Sequence, residues 1–276
     1  MKKVLLAFDG GHFSKGAFEF ARALHQNKSI LLTGLFLPQI DYANIPSFSG
    51  GGVGDPLFLP LMGDENKEMI EKNVECFVSL CKENKIEYGV QNEFYDFALP
   101  EIKKETRFAD LLIIGSQSFY RNLAPADAQE YLEYILHGVE CPVIVVPEKF
   151  VFPKNNILAY DGSDSSVYAI KQFTYLLPEL AANNTLLVYV NEEIGRPIPE
   201  KEKIEELAAR HFPDLTITKL EMNPKRYFAT WIGEINAPIL VTGSFGRSGI
   251  SGFFRKSFSS KIISDHNLPI FIAHQR

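Results

Sequence analysis

The chain has 276 residues, which suits two domains of ordinary size. It carries 28 Lys and Arg against 34 Asp and Glu, a net charge of −6 that argues against a general nucleic-acid binder, whose surface would be basic. Hydrophobic content of 46% and charged content of 22% fit a globular protein, and no apolar run approaches the roughly 20 residues that span a bilayer.

Met1-Lys2-Lys3 leads straight into the apolar run Val4–Phe8, which Asp9 interrupts, so no secretory leader is read there. The periodicity predicts a strand over 4–8, an Asp9-Gly10-Gly11 turn, and a helix over 15–26 with Ser14 as its N-cap. A strand over 30–37 follows. Residues 38–64 are rich in Pro and Gly and predict a long loop, apolar enough around Phe58–Met62 to rest on something. Next come helix 65–84, strand 87–94, helix 98–108, strand 110–115, helix 128–138 and strand 142–147. A linker over 148–155 leads to strand 156–160, helix 164–177, strand 185–190, helix 199–210, strand 214–221, helix 225–234, strand 238–242, loop 243–256, helix 257–265 and strand 269–273. Strands alternating with helices predict open parallel sheets covered by helices on both faces.

The order repeats, and so do the residues. Val4-Leu5-Leu6-Ala7-Phe8-Asp9-Gly10 is answered by Ile157-Leu158-Ala159-Tyr160-Asp161-Gly162. Leu111-Leu112-Ile113-Ile114-Gly115-Ser116 is answered by Ile239-Leu240-Val241-Thr242-Gly243-Ser244, and Cys141-Pro142-Val143 by Leu268-Pro269-Ile270. Two domains are therefore expected, over 1–148 and 154–276. Function then turns on which copy kept its chemistry.

Ligands of open α/β sheets bind beyond the carboxyl ends of the strands, where the strand order reverses. In the second copy this selects Asp161-Gly162-Ser163, Val190-Asn191 and the segment from Gly243 to Ser259. That last segment holds four glycines, five serines, Arg247, Arg255 and Lys256, and no acid. Backbone N–H groups, hydroxyls and a following helix start suit phosphate, although a surface turn with a serine cap gives the same pattern. The first copy has Gly115-Ser116-Gln117-Ser118 there, without the second glycine, and Asp127, Glu130 and Glu133 near its next helix, where they would stabilise the helix and repel phosphate. The Gly50–Gly54 run has no helix directly after it, which argues against a phosphate loop. The six histidines show no metal-ligand spacing, and Cys76 and Cys81 do not share a helical face, so no metal site is read. Three cysteines without framework spacing suit reduced thiols and a cytoplasmic location.

Taken together, the first strand ending in Asp-Gly, the Gly-x-x-Gly after the fourth strand and the Pro-led last strand resemble the universal stress protein family in tandem form, over nearly the whole chain. The resemblance implies an adenine-nucleotide α-hydrolase-like, Rossmann-like fold and an internal pseudo-dimer joined by strands 142–147 and 269–273. It implies a site for ATP or another adenine nucleotide, with Mg as a possible companion. Gly243 and Gly246 match the family's first two glycines, residues 247–255 (starting at Arg247) supply the nine-residue spacer, and Ser257 and Ser259 match its hydroxyls. Asp161 matches the acid beside the adenosine, with Gly162 next to it, and Val190 sits near the adenine strand. Lys256 stands where the family has its third glycine. It either closes the backbone approach to the phosphates or replaces a backbone contact with a charge. The reading is a nucleotide-binding regulatory or stress-response protein with its site in the second copy. The alternative is a non-binding scaffold acting through protein partners, as a single chain or a homodimer. A transferase is disfavoured because no acid–base pair or nucleophile accompanies the loop.

Overall fold

The computed structural model describes residues 1–9, 12–37, 64–91, 98–116, 136, 138–243 and 268–274. The first half contains β1 (Lys2–Asp9), α1 (Lys15–Asn27), β2 (Ile30–Leu37), α2 (Asp64–Glu83), β3 (Glu87–Gln91), α3 (Ala98–Thr106), β4 (Leu111–Gly115) and β5 (Val143–Val146). The second contains β6 (Asn155–Tyr160), α4 (Asp164–Leu176), α5 (Pro178–Ala181), β7 (Asn184–Asn191), α6 (Lys201–His211), β8 (Leu215–Glu221), α7 (Pro224–Gly233), β9 (Pro238–Gly243) and β10 (Ile270–Ala273). The 38–64 loop up to residue 63, helix 128–138 apart from positions 136 and 138, and helix 257–265 lie outside the described residues.

Among the described residues the ten strands form one sheet in the order β3-β2-β1-β4-β5-β10-β9-β6-β7-β8. Within each half the ladders are parallel. Between the halves β5 and β10 pair antiparallel, with Phe271 opposite Ile144. The second half runs through the same order in reverse, so the sheet is symmetric about this seam. The register repeats as well: Leu6 pairs with Ile113 in the first half, and their counterparts Leu158 and Val241 pair in the second.

Alternation along the strands divides the apolar side chains between two faces. Leu6, Phe8, Leu158 and Tyr160 join one buried cluster with residues of α1, α2, α4 and α6. Leu5, Ala7, Ile157 and Ala159 join the other with residues of α3 and α7. Both clusters contain residues of both halves, so the core is continuous across the seam. Aromatic packing reinforces it. Phe173 of α4 meets Phe271 of β10 edge-on at 5.3 Å between centroids, and Phe20 of α1 holds Phe150 and Phe152 of the linker at 5.7 and 5.3 Å. The Lys2 ammonium donates to the Leu176 carbonyl at the C-terminal end of α4, where the helix dipole favours a cation.

Helix starts follow the caps that the sequence shows. The Ser14 hydroxyl accepts from the Ala17 amide at 3.2 Å, and Ser163 accepts from the Ser166 amide at 3.2 Å. Most boundaries shift by one or two residues, and two of the shifts have a local backbone cause. The helix expected over 164–177 stops at Leu176 because Pro178 disfavours helical backbone at Leu177, and Pro178 instead starts the short α5. The helix expected from 199 starts at Lys201, because Glu200 takes a left-handed backbone with φ of 44°.

Two predictions follow from the buried seam and the buried thiols. Phe271→Ala removes a fully buried ring at the junction of the halves and should cost about 3–5 kcal/mol, read as a lower midpoint in urea denaturation. Burial pushes the Cys81 and Cys141 thiols up to about 12, with Asp110 adding to the effect at Cys141, so neither forms thiolate at neutral pH. Iodoacetamide at pH 8 should therefore label the exposed Cys76 in the native protein, with Cys81 and Cys141 labelled after unfolding, as peptide mass spectrometry would read.

Candidate functional site

The sequence β6–Asp161–Gly162–Ser163–α4 is a strand-to-helix turn held by its own polar groups. One Asp161 carboxylate oxygen accepts the Ser163 amide at 2.9 Å and the Ser163 hydroxyl at 2.5 Å. The same hydroxyl accepts from the first turn of α4, and the Ser166 hydroxyl donates back to the Ser163 carbonyl at 2.8 Å. Asp161, two residues before the N-cap, therefore organises the N-terminus of α4 through Ser163. Gly162 has φ of +83°, and a Cβ there would come within 2.6 Å of the Pro199 side chain. Both constraints favour glycine at this position.

Gly243 ends β9, beside β6. A Cβ on Gly243 would lie 2.6–2.7 Å from the backbone of Ser165 and Ser166, so the end of β9 sits directly against the first turn of α4. Val190 lies near the end of β7, on the other side of β6, half-buried against the α7-side cluster. Asp161, Gly162, Val190 and Gly243 are thus gathered at the carboxyl ends of three adjacent strands, β7-β6-β9. This is where the chain order reverses direction across the sheet. The structure brings these four sequence-predicted residues together. Gly246, Arg247, Lys256, Ser257 and Ser259 lie outside the described residues.

Tyr160 and Pro199 carry no signal in the sequence reading, yet they build the roof on the α4 side. The Tyr160 hydroxyl donates to the Pro199 carbonyl at 2.8 Å, which straps the approach to α6 across the Asp161–Gly162 turn. Burial, together with the nearby Glu200 and Asp161 carboxylates, raises the Tyr160 phenol above its ordinary range, so it stays a neutral donor. The Pro197-Ile198-Pro199 run before α6 is the only local hint of this strap. The loop after Val190 is pinned too: the Asn191 side-chain oxygen accepts the Glu193 amide at 2.8 Å, and the Gly195 amide donates to Glu221 at 3.0 Å.

The first half is built differently over the matching turn. Phe8 stands where Tyr160 stands and is stacked by Phe13 at 4.7 Å and by Phe36 at 4.9 Å. Leu37 is the register partner of Asp9. The first turn of α1 is occupied by the chain itself: the Gly16 amide donates to the Glu148 carboxylate at 3.1 Å. Among the described residues no three His, Cys, Asp or Glu side chains come together as a metal site, and no helix is long and apolar enough to cross a membrane.

Comparison with known proteins agrees with this architecture. A universal stress protein from Archaeoglobus fulgidus DSM 4304 superposes with a TM-score of 0.69 at 18% identity, covering 99% of this chain and 96% of that one. A functionally unknown protein from Pseudomonas aeruginosa PAO1 superposes with a TM-score of 0.58 at 12% identity, covering 99% of this chain and 92% of that one. No protein-family model and no curated protein matches the sequence. The chain therefore has the tandem universal stress protein fold, an α/β architecture with a mostly parallel sheet.

The packing of Gly243 gives a direct test. The backbone of Ser165 cannot yield as a flexible side-chain tip would, so Gly243→Ala should destabilise the protein by about 1–3 kcal/mol. Thermal melts should show a lower Tm whether or not any nucleotide is present.

Proposed function

We propose that the chain is a regulatory protein of the stress-response type, working in the cytoplasm, whose second half binds ATP or another adenine nucleotide. The observation that carries this reading is the convergence of Asp161, Val190 and Gly243 at the carboxyl ends of β7, β6 and β9, with the first turn of α4 against Gly243. In this reading Asp161 meets the ribose or base and Val190 lines the adenine. Gly243, Gly246, Ser257 and Ser259 receive the phosphates, with Arg247 and Lys256 supplying positive charge. Magnesium, with a triphosphate, would be carried chiefly by the phosphates. The asymmetry of the halves supports a single site. In the first half an acid from the chain already lies on the α1 amide, and Ser118 replaces the second glycine.

One observation favours the alternative, a scaffold that acts through protein partners without nucleotide. Ser163 directs both its amide and its hydroxyl at one Asp161 oxygen, so a ribose must share or displace those bonds.

Calorimetric titration with ATP separates the two. Nucleotide binding predicts saturable heat with the wild type, about tenfold weaker affinity for Asp161→Asn, and no change for Ser118→Ala in the first half. Lys256→Gly should then weaken binding or leave it near neutral. If the wild type fails to bind and Lys256→Gly binds, the lysine closes the site and the scaffold reading stands. Failure of both removes the nucleotide reading.

A further inference from the structure

Tyr160 and Tyr189 are register partners near the ends of β6 and β7, and Phe8 and Phe36 hold the matching pair of places in the first half. Each tyrosine hydroxyl of the second half is hydrogen-bonded, and both bonds hold the segment 192–200 that joins β7 to α6. The Tyr160 hydroxyl donates to the Pro199 carbonyl at 2.8 Å, at the far end of the segment. The Tyr189 hydroxyl accepts from the Asn191 side-chain amide at 3.2 Å, and the Asn191 side-chain oxygen accepts the Glu193 amide at the near end. Pro199 is in contact with both neighbours of Asp161. Its carbonyl meets Tyr160, and its ring lies where a Cβ on Gly162 would come within 2.6 Å. One residue further, Glu200 has a left-handed backbone with φ of 44° and ψ of 39°, and its side chain does not cap α6. A non-glycine residue is strained in that region and stays there where its surroundings fix it from both sides. On one side stands Pro199. On the other, the Lys203 and Ile204 amides donate to the Glu200 carbonyl at 3.0 and 3.1 Å. Strain is thus stored between the Asp161 turn and the start of α6.

We propose that Tyr160 and Pro199 are positioning residues for Asp161 and couple the Asp161–Gly162–Ser163 turn to the start of α6, so that a ligand engaging Asp161 resets the segment 192–200. The ligand step rests on the nucleotide reading above, whereas the coupling does not. Two arrangements are connected. In the latched one, Pro199 supports the turn and Glu200 is held left-handed. In the released one, Glu200 relaxes and the turn loses its contact at Gly162. A ligand that prefers one arrangement of the turn shifts the segment by that same preference, and the segment acts back on the ligand equally.

Hydrogen exchange resolved to single amides tests the coupling on the full chain without ligand. Tyr160→Phe keeps the ring, and Phe8 shows that this strand position accepts phenylalanine. Loss of the bond should speed exchange about tenfold at the Ser163 and Ser166 amides of the turn and at the Lys203 and Ile204 amides of α6 alike. The Ala17 amide at the matched start of α1 should not change, which separates local release from general unfolding. Pro199→Ala keeps the carbonyl and removes the ring from Gly162. It should speed the same amides, and the double variant should fall short of the sum of the two, because both break one latch. In ATP titrations Tyr160→Phe should lose about fivefold in affinity, and bound ATP should alter exchange at Lys203 and Ile204 in the wild type. The coupling is overturned if the α6 amides speed up while Ser163 and Ser166 do not, or if the two variants add in full. The ligand step is overturned if wild type and Tyr160→Phe bind ATP equally, or if bound ATP leaves Lys203 and Ile204 unchanged. ATP that fails to bind the wild type overturns the nucleotide reading and the ligand step with it, while exchange in the free protein still decides the coupling.

Discussion

The antiparallel pairing of β5 with β10 is the constraint on which the rest of the molecule depends. Each is a short, fully buried apolar strand, Val143–Val146 and Ile270–Ala273, at the edge of its own half. Alone, either half would present a row of unpaired N–H and C=O groups flanked by valine and isoleucine, a template for aggregation. Pairing them satisfies both edges and fuses the two cores across one sheet. It also fixes the directions. Since β5 runs with β1 and β10 runs with β6, antiparallel pairing at the seam points the carboxyl ends of the two halves to opposite ends of the sheet. The two strand-end crevices cannot share a ligand, and each could change without disturbing the other.

That independence is visible at the two matched strand ends. Phe13 stacks on Phe8 in the first half, and the Tyr160 hydroxyl donates to the Pro199 carbonyl in the second. The phenol and the carbonyl make the second contact polar, while the first is an aromatic stack running from Phe13 through Phe8 to Phe36. The Glu148 carboxylate on the α1 amide completes the contrast, because it places the chain's own negative charge at that helix start. One fold thus carries an aromatic stack beside the end of β1 and a hydrogen-bonded Tyr160–Pro199 pair beside the end of β6.

Much of the fold was legible because its signals are local or repeated. Buried runs such as Leu111–Ile114 allow little but a central parallel strand, Ser14 is a serine at a helix start, and the duplicated Asp-Gly and Pro-led strands matched the halves before any register was known. The seam itself followed from the resemblance. What escaped depends on contacts between distant residues. Nothing near Pro199 in sequence says that it rests on Gly162, and nothing near Tyr160 says that its hydroxyl finds that carbonyl. The break at Leu177 was legible in Pro178 but needed the weight of the proline rule against a helical apolar pattern. The convergence of Asp161, Gly162, Val190 and Gly243 was legible because each lies at or next to the carboxyl end of a strand.

Gly243 changes what the glycine signal means. A phosphate-binding reading treats the first glycine of Gly-x-x-Gly as a place where backbone approaches a ligand. Here the backbone that approaches Gly243 is Ser165, in the first turn of α4. The glycine is required by the packing of β9 against that helix before any ligand is considered. Its counterpart Gly115 holds the matching place at the end of β4, in a half whose loop has lost the second glycine and whose helix start is already met by a carboxylate. Because packing alone demands the glycine at 243, its presence says nothing about a ligand. The discriminating positions are those the packing leaves free to vary. Asp161 is held by the Ser163 amide and hydroxyl, and in the sequence Lys256 stands where the resemblance expects a third glycine. The nucleotide binding proposed for the second half would therefore rest on a charge and a hydrogen bond, and Gly243 reports the architecture.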